Sequence, residues 1–202
     1  MLPYLPMQFH YYKVFKPYGM LSQFTPEAGH DTLASLFEFP KDVYPIGRLD
    51  HDSEGLLLLT NDKSVNARLL QPGRKHQRTY WAQVEGKPDD AALNQLQNGV
   101  TINLKGTLHK TLPASVRHLN RVLLPERNPP VNYVKHPVNS WIEISVSEGK
   151  NRQLRKMTAK VGHPTLRLVR YAIEKLNIDK MLPGDIVLLE ANEFYERLLL
   201  RP

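Results

Sequence analysis

Apolar and polar positions alternate over short stretches along most of this chain. Residues 10–15 read as a strand ending at the turn Lys16-Pro17-Tyr18-Gly19, with residues 21–24 as its expected hairpin partner. Asp31 is placed to cap a short helix over residues 32–37, and residues 43–46 form a strand running into Gly47. Leu56, Leu57, Leu58, Leu59 and Thr60 make an apolar run of strand length, which predicts burial on both faces. Asp62 then caps a helix through residue 70, and Pro72-Gly73 breaks it. Residues 78–85 alternate, with Tyr80, Ala82 and Val84 on one face and Trp81, Gln83 and Glu85 on the other. Pro88 and Asp89 open a helix to about residue 98, and Gly99 closes it.

Residues 121–139 contain Pro125, Pro129, Pro130 and Pro137, which predicts a long irregular connection. Ile142, Ile144 and Val146 then alternate with polar neighbours as a strand, and residues 151–161 form a helix ending at Gly162. Residues 166–170 and 186–189 read as strands and residues 192–200 as a last helix. The sum is an α+β fold, read as a single catalytic domain with lobes over about residues 10–75 and 76–200.

Charge sharpens this picture at one place. The 202 residues carry 27 Lys and Arg against 20 Asp and Glu, a net +7. Residues 149–170 hold seven bases (Lys150, Arg152, Arg155, Lys156, Lys160, Arg167 and Arg170) and no acid, so the rest of the chain is neutral. Leu154, Met157 and Val161 share one side of the helix in this stretch, and Arg152, Arg155, Lys156 and Lys160 share the opposite arc. Two readings stand: a solvated helix face, or a footprint for a polyanion such as nucleic acid. Arg74, Lys75, His76 and Arg78 form a second basic cluster.

The chain has no Cys, which excludes a disulfide scaffold, a thiol nucleophile, Cys-ligated zinc and iron–sulfur clusters. Its apolar runs are too short to span a bilayer, and its first nine residues do not read as a signal peptide. These features lead to the expectation of a soluble, cytoplasmic protein.

A second group of charges lies in Gly47-Arg48-Leu49-Asp50-His51-Asp52-Ser53-Glu54, just ahead of the buried strand. Three acids within five residues fit a metal site, paired carboxylates for acid–base work, or an ordinary polar turn. The eight histidines show no ligand spacing, so metal is the weakest of the three. A carboxylate beside bound nucleic acid also requires a cationic partner to stay ionised. Asp52 and Glu54 read as solvated or turn-forming, and Trp141 as structural.

The motif Gly47-Arg48-Leu49-Asp50, continued by Ser53, then Gly55 through Thr60, Asn61 and Asp62, closely resembles the catalytic motif of bacterial pseudouridine synthases that modify ribosomal RNA. Three further segments agree in order: Lys16-Pro17-Tyr18-Gly19; Arg78-Thr79-Tyr80 with Val84 and Gly86; and Glu148-Gly149 with Asn151 to Arg155, Met157, Gly162, Leu168 and Arg170. The resemblance covers roughly residues 12–189. It points to the branch that holds the A type, acting on small ribosomal RNA, and the B, E and F types, acting on large ribosomal RNA. Most members carry a preceding S4-like domain, for which no room is left here, and Arg127-Asn128-Pro129-Pro130 is among the segments that look like the E type. Arg78 departs from a common Lys, and Lys63 from a common Gly.

The resemblance implies a mixed, mostly antiparallel sheet with flanking helices and two lobes around a central cleft. It implies isomerisation of a flipped-out uridine in place, with no cofactor and no metal. Asp50 becomes the essential carboxylate, with three courses open: attack on the sugar, attack on the base, or removal of a sugar proton. Tyr80 lies against the uracil and assists proton transfer, Arg155 pairs with Asp50, Leu168 packs under the base, and Arg48 flanks the site. Lys16, Arg74, Lys75, Arg78, Lys150, Arg152, Gln153, Lys156, Arg167 and Arg170 are expected along the RNA. The implied partner is 23S ribosomal RNA, in domain V near the peptidyl-transferase centre, bound by a monomer. Alternatives are another ribosomal RNA site, a non-catalytic RNA-binding or assembly factor on the same fold, and a glycosylase or nuclease.

Overall fold

The computed structural model describes residues 8–70 and 76–200. In chain order its elements are β1 (Tyr11–Lys16), a 3-10 turn (Leu33–Ser35), β2 (Tyr44–Pro45), β3 (Glu54–Thr60), α1 (Lys63–Leu70), β4 (Arg78–Glu85) and α2 (Asp90–Gln97). There follow β5 (Thr101–Leu104), β6 (Thr107–Lys110), β7 (Ser115–Leu119), β8 (Asn139–Val146), α3 (Gln153–Lys160), β9 (Thr165–Ile173), β10 (Leu176–Asn177), β11 (Ile186–Leu189) and α4 (Ala191–Arg197). Among the described residues, nine strands make one mixed sheet in the order β11-β1-β3-β9-β4-β8-β7, with β2 on β3 and β10 on β9. This is the expected α+β architecture, mostly antiparallel with flanking helices. No helix among the described residues is long and apolar enough to cross a membrane.

The leucine run explains the middle of the sheet. Every residue of β3 is buried. Leu56 and Leu58 face Phe15, Val65, Leu69, Phe194 and Leu198, while Leu57 and Leu59 face Val14, Met20, Leu33 and Val43. A strand buried on both sides needs this continuous apolar sequence, and each leucine contributes about 1.5–3 kcal/mol by leaving water. Around β4 and β8 a further core gathers Ala82, Val84, Ile142 and Ile144 with Leu96 of α2 and Leu154 and Met157 of α3. The two halves of the sheet meet where β3 runs parallel to β9 over only two residue pairs, Glu54–Val169 and Gly55–Arg170. A Cβ on Gly55 would lie 2.3 Å from the Arg170 carbonyl oxygen, so only glycine permits this approach.

Several elements differ from the sequence reading. Residues 21–24 do not pair with β1, whose neighbours are β3 and β11. Instead Ser22 Oγ donates to the Leu49 carbonyl (2.9 Å) and accepts from the Leu49 N–H (3.1 Å), which holds the segment as a loop against the Asp50 loop. The helix expected over residues 32–37 is a single 3-10 turn with no side-chain cap, and the strand at residues 43–46 shrinks to Tyr44–Pro45. β5, β6 and β7 were not anticipated. The β5–β6 hairpin turns at Lys105 and Gly106, both at positive φ (52° and 91°), a Lys-Gly turn that a two-residue hairpin tolerates. The helix expected over residues 151–161 starts only at Gln153, because Arg152 adopts the left-handed conformation (φ 50°).

Candidate active site

A cleft of about 430 Å³ opens over the junction of β4 and β9. Strand register sets its floor: Tyr80 lies opposite Arg170, and Ala82 opposite Leu168. Residues two apart share a face, so Arg78 and Tyr80 of β4 and Leu168 and Arg170 of β9 enter the cleft together. The loop before β3 adds Arg48 and Asp50, and the approach to α3 adds Lys150, Arg152 and Gln153. Residues far apart in sequence therefore share one wall. Lys16, Arg155 and Arg167 are not part of it. Arg74 and Lys75 lie outside the described residues.

The Asp50 loop is held from below by the first turn. Lys16 is fully buried, and its Nζ donates to the carbonyls of Met20 (2.7 Å), Pro17 (2.8 Å) and His51 (3.5 Å). Gly19 N–H donates to the same His51 carbonyl (2.7 Å). Burial pushes the Lys16 ammonium down to about 8, although Glu54 and Asp52 pull it back up. Lys16 is thus a fastener beneath the loop, which corrects the expectation that it touches RNA. Above it, the Asp50 side chain is 38% exposed, open to a ligand.

Among the described residues, the cation paired with Asp50 is not the expected one. Arg152 Nη1 stands 3.6 Å from the Asp50 carboxylate, and Arg155 does not pair with it. Arg155 donates to the Asp52 carbonyl (2.7 Å) and the Thr165 carbonyl (3.3 Å), and approaches the Asp52 carboxylate at 3.4 Å. Arg152 grips that carboxylate with both terminal nitrogens, at 2.9 and 2.8 Å. Asp52 is therefore the hub of the ion pairs, two residues away from where the sequence reading placed the contact. Its own burial raises its carboxyl pKa, but the Arg152 hydrogen bonds and the Arg155 charge outweigh that and hold it below the usual carboxylate range. Arg155, more deeply placed, is lowered by burial, whereas its bond to Asp52 raises Arg152. Arg152 itself stands at the N-terminal end of α3 with a left-handed backbone (φ 50°).

Other expected RNA contacts point inward. Arg167 Nε and Nη2 reach Glu54 at 2.9 and 2.8 Å, with side chains only 5% and 2% exposed. Glu54 is thus a buried ion-pair partner, which corrects its reading as a solvated turn residue. Arg167 also donates to the Pro125 carbonyl (2.9 Å), stands over Trp141 and tethers the proline-rich connection. Gln153 is buried and donates to Glu148 (2.8 Å) while accepting from Lys150 N–H (3.0 Å), so it shapes the turn into α3. Glu148, missed from sequence, also accepts from Leu112 N–H (2.8 Å) and pairs with His109 (3.1 Å), which docks the β5–β6 hairpin beside the cleft. The signal available for Asp52 and Glu54 was their acid–base balance with the distant arginines, which a linear pattern does not pair. No group of acids and histidines among the described residues is arranged to hold a metal ion.

The sequence pattern of the RNA pseudouridylate synthase family matches residues 10–160. The chain belongs to that family. Two relatives are both called ribosomal large subunit pseudouridine synthase E. That of Vibrio vulnificus (strain CMCP6) is 49% identical over 84% of this chain and 70% of its own length. That of Xanthomonas campestris is 49% identical over 84% of this chain and 89% of its own. The ribosomal large subunit pseudouridine synthase B of Bacillus subtilis is 34% identical over 87% and 66%. A crystal structure of a pseudouridylate synthase shares the fold, with a TM-score of 0.75 at 23% identity, covering 95% of this chain and 74% of the other. The synthase accordingly keeps the family's sheet, and the four sequence segments that carried the resemblance supply the Lys16 fastener, the Asp50 loop, the Tyr80 strand and the α3–β9 wall.

Proposed function

We propose that this synthase converts a specific uridine of 23S ribosomal RNA to pseudouridine, in domain V near the peptidyl-transferase centre. The observation that carries the reading is the convergence of Asp50, Tyr80 and Leu168 on one cleft. Support for the substrate comes from the relatives at 49% identity, which are named for the large ribosomal particle.

The target uridine leaves its stack and enters the cleft, since its glycosidic bond is out of reach within a helix. Its ring lies on Tyr80 and Leu168. Asp50 is the essential carboxylate, and attack on the sugar, attack on the base and removal of a sugar proton are its three possible acts. Arg152 is the cation that stands beside Asp50, and Asp52 holds Arg152 and Arg155 in place. Arg48 enters the space the base has left. Lys150 and Arg78 hold the backbone on either side.

The test is Asp50→Asn on 23S transcripts. Pseudouridine formation falls by about a thousandfold or more while RNA affinity persists. A variant that works at the wild-type rate removes Asp50 from the chemistry. A wild-type protein that binds ribosomal RNA and forms no pseudouridine favours an assembly factor, and release of free base favours a glycosylase.

A further inference from the structure

Arg170 is a buried cation of the cleft with no acidic partner among the described residues. It sits mid-sheet, opposite Tyr80 on one side and Gly55 on the other. Its Nε donates to the Leu56 carbonyl at 2.7 Å, which fixes the guanidinium against β3. Its Nη2 is buried and has no hydrogen-bond acceptor among the described residues. The nearby acids are spoken for: Asp50 and Asp52 face Arg152, Asp52 also faces Arg155, and Glu54 faces Arg167. Arg155 Nε is unpartnered too, but that side chain lies outside the cleft wall and its terminal nitrogens are engaged. Arg170 belongs to the cleft wall. A desolvated cation with a spare donor at the floor of a binding site is a place prepared for an acceptor that arrives with the ligand.

The surroundings select the acceptor. Arg170 is flanked on the floor by Leu168 on its own strand and Tyr80 across from it, surfaces that accept the face of a flat ring. A phosphate has strong alternatives nearer the mouth, in exposed Lys150 and Arg152. A ring resting on Leu168 and Tyr80 presents its edge to Arg170, and the acceptors on the edge of uracil are O2 and O4.

We propose that Arg170 hydrogen-bonds a carbonyl oxygen of the target uracil and stabilises the negative charge on that base once it is detached. The inference rests on the isomerase reading above and deepens it. When the C1′–N1 bond breaks, its electron pair stays with the ring and spreads over N1, O2 and O4. After the ring turns, C5 bonds to C1′, the proton on C5 leaves and N1 takes up a proton, so the product is an isomer of the substrate. The guanidinium keeps its own protons throughout and acts as a fixed donor at the place where charge develops. Arg170 is then a catalytic residue of the base, as Asp50 is of the reaction as a whole.

The experiment pairs a change in the protein with a change in single atoms of the RNA. The full chain and its Arg170→Lys variant act on 23S transcripts whose target uridine is replaced by 2-thiouridine or 4-thiouridine, since sulfur is the poorer acceptor. Expected is a loss in single-turnover rate of about a hundredfold for Arg170→Lys on ordinary RNA, with affinity within about threefold. One of the two thio substitutions slows the wild type yet leaves the variant no slower than before, the non-additivity of a direct contact. Thio effects equally large in both proteins overturn the contact and leave the isomerase reading standing. So does a variant that loses affinity and about one unit of salt slope at an unchanged rate, because Arg170 then holds a phosphate. Should Arg170→Lys not fold, the wild type alone decides: slowing by one thio substitution supports the contact, and slowing by neither overturns it. A wild type that forms no pseudouridine on any 23S transcript brings down both readings together.

Discussion

Two groups of bases from the same acid-free stretch of sequence have opposite fates. Arg167 and Arg170 on β9 are buried, one against Glu54 and the other against the Leu56 carbonyl. Lys150 and Lys160, at either end of α3, are exposed, and Lys156 lies half-buried with its Nζ on the Asn103 carbonyl of the hairpin. The difference is one of element rather than of charge. β9 runs between β3 and β4, and residues 167–170 in its middle are buried, so a charged side chain there must find a partner or receive one from a ligand. α3 rests on the sheet by Leu154 and Met157, sets Lys156 against the hairpin and leaves Lys160 at its end in water. A run of positive residues is therefore two structures: one that assembles the cleft and one that faces the solvent in which RNA arrives.

The sharpest way to break the distinction is at the buried pair. Glu54→Ala leaves Arg167 buried and unpaired, and stability falls by about 3–5 kcal/mol in urea unfolding. Replacing both residues by apolar ones of similar size recovers most of that loss, as a scaffold role requires. Next in size, Arg152→Ala and Arg155→Ala each lower kcat by about 10- to 100-fold through a misplaced Asp50 loop. If Arg152→Ala weakens only RNA binding, Arg152 rejoins the solvent-facing group. Lys150→Ala and Lys160→Ala are smaller, a few-fold in affinity with about one unit of salt slope each and kcat unchanged, measured by titration at several salt concentrations. The most gradual effect, spread over a range of pH, is at Lys16. Its folded pKa of about 8 lies below the ordinary lysine value, so between these the unfolded chain binds the proton more tightly and folding gains from rising pH. Urea midpoints at pH 7, 8.5 and 10 accordingly show the wild type gaining on Lys16→Met by at most about 1.4 kcal/mol per pH unit.

Periodicity made the core legible. The leucine run of β3, the alternation of β4 and β8 and the capping residue Asp89, whose side chain accepts from Ala92 N–H at 2.8 Å, all express purely local rules. The cleft was legible through motif resemblance, which places Asp50, Tyr80 and Leu168 at one site from the sequence alone but puts Arg155 beside Asp50 where the structure has Arg152. What stayed hidden was pairing. Arg155 and Asp52 lie 103 positions apart, Arg167 and Glu54 113, and nothing in either segment says which acid a given arginine takes. Exposure was hidden for the same reason: Lys16 reads as a surface base until the carbonyls of Met20 and His51 are seen closing on it. The β5–β6 hairpin escaped because a Lys-Gly turn is a weak punctuation mark.

The seam between β3 and β9 has a mechanical meaning. β4 and β8 are zipped by eight facing residue pairs, but the two halves of the sheet are joined by two, at Glu54 and Gly55. Arg167 on Glu54 and Arg170 on the Leu56 carbonyl act there as bolts across a short joint. A load that pulls the halves apart falls on this short joint, and Arg170, one of its bolts, is also a wall residue of the cleft, so the seam and the site share a side chain.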